Sequence, residues 1–408
     1  MRKESVCKFV SALLLLCLLC GCANEPKGVG AVPVSSSHKL TREQMLADYD
    51  AMWKDIDENY PLMGVAERTT GKDFAKIKAD YRKKVLNAGS DLGFFYILNN
   101  CIKEFQGTGH MCLLYKDRYT MVMSIYKNIK SPHCNYLYRI LDNAASRDFY
   151  SYTPVDIYAK AKETASTKGK SGNISTKIYE KDKVCYLEIN SFGSQFVSVD
   201  APKIEEFFRQ AKDSRYCILD ICGNGGGAEA YWMDNIVSPN LDRDASYVSY
   251  ELIKGEAAKQ YLSIMEKLHP ISELKKLPNT DEKDLAQMKY FTETQKTVKS
   301  KDGKKAFSGK FYLLTDGVVY SSAEGFAMFC KQSGFAKIVG EPTDGDGGGI
   351  DPLLFVLPNS GIVLRFSASL GLNQDGSSNE EFGTQPDVPC AKGKDALQTC
   401  LDLIQAGQ

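Results

Sequence analysis

The sequence predicts an α/β fold preceded by a small helical unit, on three observations. Short β-rich apolar runs recur in the second half: VCYLEI at 184–189, YCILDI at 216–221 and KFYLLTD at 310–316. Helix-like stretches lie between or after them, KIEEFFRQAKDS ending at Ser214 and SAEGFAMFCKQSG from Ser322. Upstream of all these, apolar residues recur at helical spacing. Short apolar strands alternating with helices imply a sheet covered on both faces, because such strands have no polar side to offer water.

The chain opens MRKESVCKFVSALLLLCLLCGC. Arg2, Lys3 and Lys8 form a basic start, and Phe9 to Cys20 is an apolar run of twelve residues. A bilayer needs about 20, so residues 1–21 read as a signal peptide and not as a spanning helix. Leu19-Cys20-Gly21-Cys22 resembles a bacterial lipobox, which implies cleavage before Cys22 and lipid on its thiol. An ordinary secretory signal is the alternative. Ala23 and Asn24 follow, with no Asp at the second position, so the expected destination is the outer membrane, facing the periplasm. Residues 22–38 lack a periodic apolar face and read as a tether.

From Thr41 the pattern turns helical. Thr41-x-x-Gln44 fits a capping box, and Met45, Tyr49, Met52, Trp53 and Ile56 follow at helical spacing. Further amphipathic runs cover 74–86 and 92–105, so 39–115 is expected to be an N-terminal helical domain. Residues 116–175 are mixed, and KETASTKGKSGN marks a loop or boundary. The α/β domain is expected over 176–408. Within it, LLFVL and IVLRF joined by Pro-Asn-Ser-Gly predict a hairpin. The charged segment 251–306 reads as an insertion, a cap or a lid.

The 51 basic and 51 acidic residues balance, and no polybasic arm appears, which argues against nucleic acid as a partner. Removing residues 1–21 takes away three basic groups and one acidic group, leaving about two net negative charges. Membrane contact is expected only through the lipid anchor. Of 13 cysteines, nine lie beyond Cys22, an odd number without CxxC or zinc-like spacing. Free thiols, no metal and no cofactor are expected. Oligomeric state is not legible.

Four segments carry candidate chemistry. In LDICGNGGGAEA, Leu219 to Ala230, glycines at the end of a strand free backbone N–H groups to face a negative oxygen. The same segment formally matches a dinucleotide fingerprint at Gly223-x-Gly225-x-x-Ala228, with Asp242 some way on, or is simply a tight turn. In EFQGTGHMCLLY, His110 stands at an element boundary before an apolar run, unlike His38, His133 and His269, which lie in tether or polar contexts. In VVYSSAEGFAMFC, Ser321-x-x-Glu324 fits either a helix capping box or a nucleophile at a helix start. A fourth segment, SNEEFGTQPDV, sets Glu380 and Glu381 before a turn, where a solvated acidic loop is the simpler reading.

Taken in order, TGH, DICGNGGG, TDGVVYSSAEGFA, AKIVGEPTDGDGGG and EEFGTQPDV resemble the tail-specific (carboxy-terminal processing) and tricorn-type serine peptidases. The resemblance is good over roughly 180–390 and loose over 41–115. It implies a crotonase/ClpP-like core of stacked β-β-α units and a serine hydrolase site acting on peptides or unfolded chains. In one branch of that family the base is a lysine 25 residues after the serine; Asp346 occupies that place here, and no lysine lies between Lys337 and Lys392. In the other branch the base is a histidine from the N-terminal unit. The resemblance therefore implies Ser321 as nucleophile, His110 as base and Glu380 as its supporting acid, with Glu381 as the fallback. The N–H groups of Ser322 and of Gly225 or Gly226 would form the oxyanion hole. Two departures stand out: Cys222 replaces the family's arginine, and Gly109 precedes the histidine where the tricorn type has a serine. No PDZ signature lies between His110 and Val184. These departures leave open a catalytically degenerate peptide- or ligand-binding lipoprotein on the same scaffold.

Overall fold

A computed structural model describes residues 39–129, 131–154, 172–180, 184–346 and 352–407. The signal peptide, Cys22 and the tether lie outside the described residues. The expected capping box opens α1 (Arg42–Asn59): Gln44 N–H donates to Thr41 Oγ1 at 3.2 Å, and Thr41 N–H to Gln44 Oε1 at 2.9 Å. It buries Met45, Tyr49, Met52, Trp53 and Ile56. Then come α2 (Met63–Thr70), α3 (Phe74–Val85) and α4 (Asp91–Lys103). A single tight turn, Thr108–His110, leads into the two-residue β1 (Cys112–Leu113).

Helical structure continues past the expected boundary at 115, through α5 (Lys116–Asn128), α6 (Pro132–Leu141) and α7 (Ala144–Phe149). The reason is packing. Tyr119, Val122, Met123, Ile125 and Tyr126 recur at helical spacing and join the same core as α1 to α4.

The remaining elements are β2 (Ile174–Glu180), β3 (Val184–Ile189), α8 (Ser194–Gln210), β4 (Tyr216–Asp220), α9 (Glu229–Trp232) and β5 (Ala245–Ile253). Next are α10 (Glu256–Leu262), β6 (His269–Pro270), α11 (Glu282–Leu285), β7 (Tyr290–Val298), β8 (Lys310–Thr315), α12 (Ser322–Ser333) and β9 (Ala336–Gly340). The chain closes with β10 (Leu353–Val356), β11 (Val363–Phe366), β12 (Leu370–Leu372), α13 (Asn379–Phe382), β13 (Val388–Pro389) and α14 (Ala396–Gln405).

The expected α/β architecture is present. A six-stranded sheet runs β13-β9-β8-β4-β3-β2, parallel throughout except that β2 is antiparallel to β3. Its strands are apolar on both faces. Leu187, Leu219, Leu313 and Ile338 face the core shared with α8 and α12, while Tyr186, Ile218, Tyr312 and Val339 face the core shared with α14. Each fully buried aliphatic chain of this kind stabilises by about 1.5–3 kcal/mol. Parallel strands send their carboxyl ends to one edge. Asp220 pairs with Leu314, and Thr315 with Gly340, so the loops that follow β4, β8 and β9 leave side by side. That edge is where open α/β sheets bind ligands.

The predicted hairpin is β10–β11, closing at Val356↔Val363. Its location is less expected: β11 also pairs with β1, Leu113 against Leu364, and the hairpin completes the N-terminal core and not the six-stranded sheet's. The segment 251–306 is likewise more than a cap. It takes in the end of β5 and all of β7, which pair over nine positions in a four-stranded sheet, β12-β5-β7-β6.

Candidate active site

The glycine loop after β4 is held by side chains. Asn224, fully buried, donates through Nδ2 to Ile189 O at 3.0 Å, and its Oδ1 accepts the Gly226 N–H at 2.9 Å. Asp316, from the serine loop, accepts the N–H groups of Gly223 and Val318, each at 3.0 Å. Tyr320 N–H donates to Asn224 O at 3.3 Å. Two loops from neighbouring strands are thereby tied into one rigid unit.

Ser321 ends that unit in a conformation rare for any residue with a side chain, φ 57° and ψ −123°. Backbone strain of this kind costs about 1–3 kcal/mol and collects at functional sites. Its N–H donates to Gly345 O at 3.0 Å, and it stands immediately before α12. Its side chain makes no capping bond to the helix. Glu324 is no capping partner either: it is fully buried, and its Oε1 accepts from Asn379 Nδ2 and Thr384 Oγ1, each at 2.6 Å. Burial pushes its carboxyl up, against the hydrogen bonds it accepts. The capping-box reading of Ser321-x-x-Glu324 therefore fails. Glu324 instead fastens the loop that carries Glu380.

Gly226 explains the glycines. At φ +94°, a Cβ there would lie 2.6 Å from Tyr320 O, 2.9 Å from Ser322 N and 3.0 Å from Ser321 Cβ. Its own N–H is committed to Asn224, which removes it from the expected oxyanion donors. The Gly225 and Ser322 N–H groups have no hydrogen-bond partner among the described residues. Gly226→Ala is expected to lower any turnover at Ser321 by about 10²–10³-fold, the typical loss when an oxyanion donor is disabled. Steady-state kinetics beside a thermal melt would check this.

His110 arrives from the turn after α4. Tyr60 Oη donates to Thr108 O at 2.9 Å, and Ser367 N–H to Gly109 O at 2.7 Å, which pins the turn between α1 and the end of β11. Gly109 has φ 59°, and a Cβ there would lie 2.3 Å from Leu62 Cδ1, so the serine of the tricorn type could not be accommodated unless Leu62 moved. The imidazole is buried and packs edge-on against Tyr320, with ring centroids 5.3 Å apart. Its Nε2 forms an ion-pair contact with Asp346 Oδ2.

Glu380 Oε1 accepts the Gly109 N–H at 2.6 Å, next to the histidine. Its Oε2 is buried with no hydrogen-bond partner among the described residues. Burial and then the charge of Asp346 push this carboxyl well up, opposed by the Gly109 N–H and by His110. Glu381 points elsewhere. Arg68 of α2 grips it, Nε to Oε1 at 2.9 Å and Nη2 to Oε2 at 2.6 Å, and the same guanidinium holds Asp284 at 2.6 Å. The fallback acid is thus a tie between α2, α11 and α13.

Two residues of this cluster carried signals that did not single them out. Asn224 is the asparagine of the glycine-loop pattern, and Asp346 is where the count from the serine lands. The dinucleotide reading finds little support, since Ser321 and Ser322 lie against Gly226, where a pyrophosphate would have to approach the backbone.

A parallel α/β core presenting a strained serine at a helix start, beside a glycine loop with open N–H groups, has the layout of a serine hydrolase. The chain belongs to peptidase family S41, whose model matches residues 183–390. A comparison with curated proteins finds no match. Among solved structures, the chain is similar to a protein of Parabacteroides merdae proposed to be a peptidase. The identity is 20%, the TM-score 0.56, and 89% of this chain and 98% of the other are covered. It is also similar to mature CPAF complexed with lactacystin, at 14% identity and TM-score 0.51, covering 90% of this chain and 97% of that one. At these identities the likeness concerns the fold.

Proposed function

We propose that this chain is a serine peptidase cutting peptides or unfolded proteins, with Ser321 as nucleophile, His110 as general base and Glu380 as the acid that orients the imidazole. Membership of a serine peptidase family supports the reaction class. The observation that carries the residue assignment is the backbone of Ser321: strained, at the start of α12, and with its side chain released from capping. A serine hydroxyl scarcely ionises at neutral pH, so it needs a neighbouring base. His110, whose ring packs against the residue preceding Ser321, is the titratable group suited to that task. The Ser322 and Gly225 N–H groups would receive the oxyanion. The test is a fluorophosphonate probe followed by peptide mapping. Labelling is expected at Ser321, and labelling at another residue would overturn the assignment.

One observation favours a second reading, a peptide- or ligand-binding protein without catalysis: the Asp346 contact occupies the nitrogen that a working base would turn to the serine. That reading requires no labelling between about pH 6 and 9, a range spanning histidine's ordinary titration. We also propose that the mature chain is a lipoprotein anchored through Cys22 and facing the periplasm, as the opening sequence supports. Cells fed a palmitate analogue are expected to label the wild type and not Cys22→Ser.

A further inference from the structure

The loop after β9 reaches the candidate site twice. Gly345 gives its carbonyl to the Ser321 N–H at 3.0 Å and bridges to Tyr320. The next residue, Asp346, adopts φ 60°, a left-handed conformation that aspartate tolerates better than most side chains, and its carboxylate meets His110 Nε2. Only 16% of the Asp346 side chain is exposed, and 3% of the histidine's, so water screens the contact weakly.

We propose that Asp346 is a positioning residue that acts through His110: by holding Nε2 it withholds the nitrogen that would take the Ser321 proton, so the base engages only when this contact is released. The inference rests on the reading of Ser321 and His110 given above.

The groups around the imidazole favour this division of labour. Glu380 of α13 and Asp346 of the loop after β9 face it, and Asp344 of the same loop acts on Glu380. The Tyr320 ring packs on it, and the Tyr60 phenol, at the end of α1, lies near Glu380. Beyond Asp346 stand Glu251 of β5, with Lys296 of β7 behind it, and Glu324 of α12. Burial pushes Glu251 and Glu324 up, and burial together with Asp346 pushes Glu380 up. These three are thus pushed toward the neutral form, and Asp346 is the carboxylate in contact with the ring nitrogen. While Asp346 stays there, Glu380 is held back from ionising. Once it leaves, Glu380 is free to ionise and support the imidazolium, the role an orienting acid plays in a triad.

A carboxylate against an imidazole stabilises the charged ring, so the neutral, basic form appears only at higher pH. The test uses the mature chain with Asp346→Asn and, to remove the contact altogether, Asp346→Ala. Ring titration of His110 by NMR and the pH profile of fluorophosphonate labelling are both recorded. Both midpoints are expected to fall by about one pH unit, with labelling near pH 6.5 up to about ten-fold faster than wild type. An unmoved His110 titration in both variants would overturn the proposal whatever the labelling does. So would a fall in labelling as large as that of Glu380→Gln with no shift of midpoint, since Asp346 would then support the base and not withhold it. A shifted titration with no labelling in any variant supports the hold on His110 and counts against the peptidase reading alone.

Discussion

Ser321→Ala is expected to abolish fluorophosphonate labelling and to lower peptide hydrolysis by about a million-fold, the scale of losing a nucleophile that acts as a unit with its base. The same substitution is expected to leave folding stability almost unchanged. Ser321 precedes α12, yet its side chain makes no bond to the helix end, so removing the hydroxyl takes no cap away. Loss of a genuine serine N-cap costs about 0.5–2 kcal/mol. The strained φ of 57° is shared by wild type and variant, since alanine also carries a Cβ. Kinetics and urea denaturation on one preparation therefore separate the chemical role from the structural one. Activity lost with stability kept supports the nucleophile, whereas stability lost by the capping amount with labelling intact would refute it.

The second large effect is that of His110→Ala, expected to slow labelling by about 10²–10⁴-fold, the contribution of a positioned general base. This variant should also be less stable, in a pH-dependent way whose sign follows from Glu380. Burial and Asp346 raise that carboxyl in the folded chain, while the imidazole's charge pulls it down. Without the ring, the folded-state value climbs further. A carboxyl raised on folding contributes stability that is present below its unfolded value, about 4.3, and lost as pH rises through the folded one. The part of the gap between wild type and His110→Ala that comes from Glu380 is thus expected to be absent near about pH 4 and to grow toward neutrality, on top of what losing the Asp346 contact costs. Urea midpoints across that range would measure it, and a gap independent of pH would sink the account.

What the sequence made legible follows the physics of each signal. Buried parallel strands must be apolar on both faces, so β3, β4 and β8 were readable as runs, and the β10–β11 hairpin carried its own turn residues. The Thr41–Gln44 box was readable because both halves of its recognition lie within four residues. The destination of β11 was not. Its pairing with β1 joins Leu113 to Leu364, and no local property of VLRF marks which sheet it completes. The N-terminal unit runs on to Phe149 because α5 to α7 bury one face against helices distant in sequence, a tertiary preference that spacing alone understates. At the site, residue types in order pointed to Ser321, His110 and Glu380. They could not reveal that Nε2 meets Asp346 or that Gly226 N–H is spent on Asn224, since both depend on where loops from different strands converge.

The hairpin's placement has a consequence for how the protein is made. Leu353, Leu364 and Phe366 fill a core otherwise built largely from helices before residue 150, so that core stays open until the carboxyl-terminal part of the chain has emerged. His110 sits on a turn whose carbonyl is pinned by Ser367, and it too waits for that late arrival. A nascent chain would hold a serine without a seated imidazole, and on the proposed mechanism would be inert toward its own unfolded segments. Ordering of the machinery along the polypeptide would then act as a built-in delay, with cleavage competence reached only after synthesis is finished.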